Sequence, residues 1–137
     1  MKKATLKKFR AYYRKHGKIN NPGLDSHGKP IKEQTDWVWF DRETIEAALA
    51  HADRHGKVGG LKMYFGQYDK ETINSLPKDC DKKEAYIGRI SLVLVPANKT
   101  KEGLNDILLS EVSGPIDEGG WNGGAMCPPD CSEGDDD

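Results

Sequence analysis

The 137-residue chain contains no apolar run approaching the roughly 18 residues that a membrane span needs. Its basic N-terminus is not followed by an apolar stretch, so no secretory signal is expected and the cytoplasm is the favoured setting. Large aliphatic residues and Phe are scarce: Leu, Ile, Val and Phe make up 26 of 137 positions. That scarcity borders on the composition of disordered chains, but a net charge of −1 lacks the self-repulsion such chains carry. A single domain with a small core and long polar loops is expected. Cysteines number only three, an odd count that fits no disulfide framework. No G-x-S-x-G, Walker A, G-x-G-x-x-G or H-x-E…C-x-x-C pattern is present, and no repeat of roughly 20–50 residues points to a solenoid. Nothing therefore indicates an enzyme.

What the chain does have is charge segregation. Residues 1–18 carry Lys2, Lys3, Lys7, Lys8, Arg10, Arg14, Lys15 and Lys18 and no acid, a charge of +8. Residues 102–137 carry ten acids, among them Glu111, Asp117, Glu118, Asp130 and Asp135–Asp137, and no base. Opposed ends of this size point to a basic arm, an acidic tail, or two ends that attract each other.

Hydrophobic spacing outlines the elements. Leu6, Phe9 and Tyr13 share one helical stripe, which predicts an amphipathic helix over 2–16 ending at Gly17. Residues 18–35 have loop composition, with Pro22, Gly23, Gly28 and Pro30, and would let that helix sit apart from the rest. Trp37 to Phe40 form a short β-prone run. Asp41 then suits an N-cap, with Phe40 and Ile45 as a hydrophobic staple, and Ile45, Ala48, Leu49 and Ala52 mark a helix over 41–55. Alternation predicts a half-buried strand over 61–68 and a second over 86–95, closed by Pro96; residues 69–85 read as a loop. Leu104 to Val112 allow one more short element. Beyond Ser113 the repeated glycines and prolines argue against regular structure.

The run led by Trp37 and Phe40, the strand Leu61-Lys62-Met63-Tyr64-Phe65-Gly66-Gln67-Tyr68, the strand Ile90-Ser91-Leu92-Val93-Leu94-Val95-Pro96 and the irregular stretch from Asp106 to Pro129 follow one another in order. This outline, over residues 37–129, resembles a group of small uncharacterised proteins from Bacteroidota. The resemblance implies a fold and no activity, because its marks are structural residues.

Three constellations carry candidate chemistry. His51 and His55 stand at i and i+4, and Cys127 and Cys131 form a C-x3-C pair, so together they offer a Cys2His2 zinc set joining tail to helix. Ala52 and Asp53 stand where H-E-x-x-H needs glutamate, which excludes that metalloprotease motif. Without zinc, the histidines are solvent-facing residues near a helix end. The cysteines could also pair with each other, but a reducing compartment and the odd Cys80 make free thiols the expectation. In the third, Lys3, Lys7, Lys8, Arg10, Arg14 and Lys15, interleaved with Tyr12 and Tyr13, form a basic surface for a protein partner or a nucleic-acid backbone. That helix lacks the apolar bulk for membrane insertion. Asp36 and Asp41, flanking the aromatic run, read as turn and capping residues.

The expected architecture is α+β: a mainly antiparallel sheet of two to four strands with one packed helix. It is divided into a basic helix (1–17), a loop (18–35), a core (36–112) and an acidic Gly/Pro-rich tail (113–137). Its expected core is Trp37, Trp39, Phe40, Ile45, Leu49, Leu61, Met63, Phe65, Ile90, Leu92 and Leu94. The expected function is a non-enzymatic protein-binding or self-assembly module using the opposed ends. Nucleic-acid binding through the first helix and a zinc-stabilised domain are the alternatives.

Overall fold

The computed structural model describes residues 1–21, 23–53, 59–78, 80–107 and 124–131. They form an α+β fold with one antiparallel sheet of two strands and one of three. The chain divides into two compact units, each assembled from separate segments: Met1–Trp39, Gln67–Ser91 and Ala125–Asp137 in the first, Phe40–Gly66 and Leu92–Gly124 in the second.

The first unit begins with α1 (Lys3–Tyr12), which continues through a wide π turn (Tyr13–Gly17) and a tight 3-10 turn (Lys18–Asn20). The expected stop at Gly17 does not occur, because Gly17 keeps a helical φ of −83°. Its missing side chain instead makes room for a ring: a Cβ there would lie 2.8 Å from Cδ2 of Tyr13. Strand β1 (Trp37–Trp39) pairs antiparallel with β5 (Ala125–Cys127), Trp37 opposite Cys127 and Trp39 opposite Ala125. The segment expected to be a plain loop contributes two 3-10 turns, Thr72–Ser75 and Lys83–Tyr86. They deliver Leu76 and Tyr86 into an apolar cluster with Tyr68 and Met126, against which Val38, Ile73 and Cys80 pack.

Buried Gln34 ties this unit together. Its Nε2 donates to the carbonyls of Asn21 and Gly88, and its Oε1 accepts from the amides of Thr35 and Ile90. A side-chain amide that spends both ends this way satisfies backbone groups that no regular ladder reaches. Gly88 has a φ of +83°, and a Cβ there would lie 2.3 Å from the Leu24 carbonyl oxygen, so the two backbones cross where only glycine fits.

In the second unit Asp41 caps α2 (Arg42–Ala52), accepting from the Thr44 amide at 2.7 Å. Ala48 and Ala52 are fully buried and Leu49 is half-buried, whereas Ile45 of the expected staple is exposed. The buried stripe is made of small residues because α2 comes close to its neighbours: a Cβ on Gly59 would lie 2.5 Å from the Ala52 carbonyl oxygen and 2.7 Å from Oδ1 of Asn98. Strands β2 (Gly59–Gln67), β3 (Ile90–Thr100) and β4 (Gly103–Asp106) form the three-stranded sheet in that order.

The sheet corrects three readings. Pro96 does not end β3: it is buried within the strand, loses only its amide, and its carbonyl still accepts from Ile107 at 2.9 Å. The strand runs on to pair with β4 from Ala97 opposite Asp106 to Thr100 opposite Gly103. Met63 and Phe65 are not core, and Phe65 is 84 % exposed, because β2 is an edge strand whose second half stands clear on both faces. Trp39 is likewise exposed; of the expected core only Leu94 is fully buried, with Trp37, Phe40, Leu49, Leu61, Ile90 and Leu92 half-buried.

Candidate functional site

The basic helix is held at one end only. The side chain of Asp36, just before β1, is 4 % exposed and takes hydrogen bonds from Nε of Arg14 at 3.1 and 3.2 Å, from Nη2 of Arg14, and from Nη2 of Arg10 at 3.4 Å. Tyr13, between these arginines on the same face, donates its hydroxyl to the Thr35 carbonyl at 2.7 Å. One turn further, Lys18 is buried and bonds Glu33 at 2.8 Å. Residues 10, 13, 14 and 18 thus fall on one helical face and meet a single short segment, 33–36. A bidentate arginine on a nearly buried carboxylate is the strong form of an ion pair. The Arg14 hydrogen bonds hold the Asp36 carboxyl below its ordinary range, and burial followed by the Asp36 charge pushes the Tyr13 phenol up.

Upstream of that anchor the helix is free. Residues 1–9 are all exposed, around the whole circumference of α1, with Phe9 at 65 % and Leu6 at 46 %. The stripe of Leu6, Phe9 and Tyr13 is therefore not the docking face: its first two members are exposed, and its last is half-buried with its hydroxyl bonded to Thr35. Among the eight basic residues of the N-terminal segment, Arg10, Arg14 and Lys18 are spent on Asp36 and Glu33, while Lys2, Lys3, Lys7, Lys8 and Lys15 are exposed. Of the six partner-binding candidates, Arg10 and Arg14 are thus anchors, and Lys3, Lys7, Lys8 and Lys15 form the outward surface. Tyr12 is also exposed and lies against His16, with ring centroids 4.5 Å apart and planes tilted by 42°.

The sequence marks Asp36 as a turn residue and places residues 33–35 in the loop. The segment Glu33-Gln34-Thr35-Asp36 is wholly polar, but nothing local says that a carboxylate will face an arginine 22 positions away.

Of the expected zinc set, His51, Cys127 and Cys131 lie within the described residues. Cys127 and Cys131 are joined to each other in a disulfide, so neither offers the thiolate that zinc binding requires, and the expectation of free thiols is corrected with it. The hydrogen bond from the Asp130 amide to the Met126 carbonyl folds the intervening turn and brings the two Cα atoms to 4.6 Å, within disulfide reach. His51 sits half-buried in the last turn of α2, and His55 lies outside the described residues. No group of three or more His, Cys, Asp or Glu among the described residues is arranged to hold a metal ion. Cys80 is a free thiol.

Compared with protein-family models, curated proteins and solved structures, the chain matches none. No helix among the described residues is long and apolar enough to cross a membrane.

Proposed function

We propose that this protein is a non-catalytic binding module that self-associates, the free half of its basic helix meeting the acidic 102–137 segment of a neighbouring copy. The observation that carries this reading is the overhang: two turns of helix with no buried residue and no side-chain cap, clad in lysines around Leu6 and Phe9. Such a short helix is marginal in water without a surface to lie on. Charge complementarity selects the occupant, because the chain's own C-terminal segment carries ten acids and no base. The helix spends its arginines on Asp36, within its own unit, which leaves the lysines for a second chain. We take the cytoplasm as its setting; the Cys127–Cys131 bond is the feature a reducing compartment opposes, and blotting of reduced and non-reduced cell fractions tests it.

The experiment is charge reversal with rescue, read by sedimentation velocity. A variant carrying Lys3→Glu, Lys7→Glu, Lys8→Glu and Lys15→Glu is expected to be monomeric. Mixing it with a second variant carrying Glu133→Lys, Asp135→Lys, Asp136→Lys and Asp137→Lys should restore a complex. Failure of the wild type to associate at low salt ends this reading. The exposed Tyr12–His16 ring pair beside Lys8 and Lys15 favours one alternative, nucleic-acid binding by base stacking on a basic helix. In that case neutralising the C-terminal acids strengthens binding to a single-stranded oligonucleotide, whereas self-association would be weakened by the same change.

A further inference from the structure

A separate group of residues in the first unit meets at the end of β5. The disulfide closes the sequence Cys127-Pro128-Pro129-Asp130-Cys131, and the Cys127 carbonyl accepts from the Asp36 amide at 2.6 Å, which fixes this turn to β1. The two sulfur-bearing residues differ in access: Cys127 is buried and Cys131 is exposed. The remaining cysteine, Cys80, is half-buried against the cluster of Tyr68, Leu76, Tyr86 and Met126. Tyr86 links the two. Its hydroxyl donates to Oδ2 of Asp130 at 2.6 Å, inside the disulfide turn, and the Cys80 thiol stands beside that same hydroxyl. Lys82 approaches the other oxygen of Asp130 at 3.6 Å. Cys80 thus packs against the cluster that Met126 of β5 joins, and the Tyr86–Asp130 hydrogen bond ties that cluster to the disulfide turn, although 47 positions separate Cys80 from Cys127.

A disulfide exchanges when a thiolate reaches one sulfur and the other can leave with the electron pair. The arrangement offers an exposed cysteine, Cys131, for an outside thiolate to approach, and a third thiol, Cys80, packed on the cluster that the Tyr86–Asp130 bond ties to the disulfide turn. We propose that Cys80, Cys127 and Cys131 form a thiol–disulfide exchange site that accepts electrons from a dithiol. In the outward reaction one thiolate of the dithiol attacks Sγ of Cys131. The bond between Cys131 and Cys127 breaks, and its electron pair goes to Cys127, which takes a proton. The donor's second thiol then displaces Cys131, so the dithiol leaves as a disulfide and two protein thiols remain. In the inward reaction the Cys80 thiolate attacks Sγ of Cys127, a Cys80–Cys127 bond forms, and Cys131 leaves as a thiolate that receives the proton Cys80 gave up. No electrons enter or leave in that step. It moves the free thiol from a half-buried position to an exposed one.

The test maps disulfides in the full-length protein equilibrated with graded ratios of reduced and oxidised dithiothreitol, then acid-quenched, alkylated and digested for mass spectrometry. The expected result is a Cys80–Cys127 linkage alongside Cys127–Cys131 in the partly oxidised range. Alkylation of Cys131 under non-reducing conditions should also be at least about tenfold faster in the wild type than in Cys80→Ser, where the inward step is blocked. Cys127–Cys131 as the only linkage at every ratio, with Cys131 alkylated equally slowly in both proteins, would overturn the proposal. If Cys80→Ser does not fold, the wild-type map alone decides, since it requires no variant.

Discussion

The two helices are of similar length, and each carries an apolar stripe, yet they are held in opposite ways. Helix α2 is capped by Asp41, buries Ala48 and Ala52, and comes so close to Gly59 that a methyl group there would collide. Helix α1 has Lys2 at its N-cap with no side-chain bond, buries nothing, and is fastened downstream by Arg10, Tyr13 and Arg14 on Asp36 and Thr35. Burial of small side chains holds α2 along its apolar stripe. Anchorage by charge at one end leaves α1 with a free surface. The difference teaches that an apolar stripe identifies a helix without saying which face, or how much of it, is used.

Substitutions at the two anchoring schemes should separate them. Asp36→Ala removes the acceptor of both arginines and should cost roughly 2–4 kcal/mol, within the range for breaking a partly buried charged pair. Urea unfolding measures it, and hydrogen exchange should show lost protection in the turns from Tyr13 to Asn20 but not in α2. Gly59→Ala should cost about 1–3 kcal/mol by overpacking against Ala52, with α2 affected and α1 unchanged. Asp41→Ala should cost about 1 kcal/mol through the lost cap, read as a lower urea midpoint. In contrast, Phe9→Ser in the free half of α1 should change stability by less than about 0.5 kcal/mol, since no packing is lost, while weakening association.

Acid should break the comparison from the same side. The Asp36 carboxyl is held low by Arg14, so its contribution is fully present above the ordinary carboxylate value of about 3.9 and is lost as pH falls through the lowered value of the folded state. A pH titration followed by exchange at Tyr13–Asn20 should show α1 releasing in acid, with that transition absent from Asp36→Asn. Persistence of the transition in that variant would assign it to another carboxylate.

How far these arrangements can be read from the sequence follows the same division. Helix α2 was legible because Asp41 and the stripe ending at Ala52 act within a few residues of each other. Strands β1, β2 and β3 were legible for the same reason, although alternation in β2 marked a strand and not a buried face, because edge position depends on sheet order. The anchor of α1 was not legible: Asp36, Gln34 and Glu33 act across 15 to 56 positions, and Gln34 satisfies backbone groups whose exposure exists only in the fold. Met126 is legible as a large apolar residue able to anchor the tail by burial, whereas Tyr68, Leu76 and Tyr86 are not legible as core, because irregular turns carry two of them and no periodicity announces them. A reducing compartment and an odd cysteine count argue against the disulfide, whereas the turn between Met126 and Asp130 brings its two ends together.

The central claim is that the free half of the basic helix joins chains through charge. Multi-angle light scattering of the purified full-length protein at about 20 mM and about 500 mM salt tests it most directly, because ionic strength shortens the reach of such contacts from about 20 Å to under 5 Å. The account predicts a mass of several chains at low salt falling to a single 15.3 kDa chain at high salt. A single-chain mass under both conditions would contradict it.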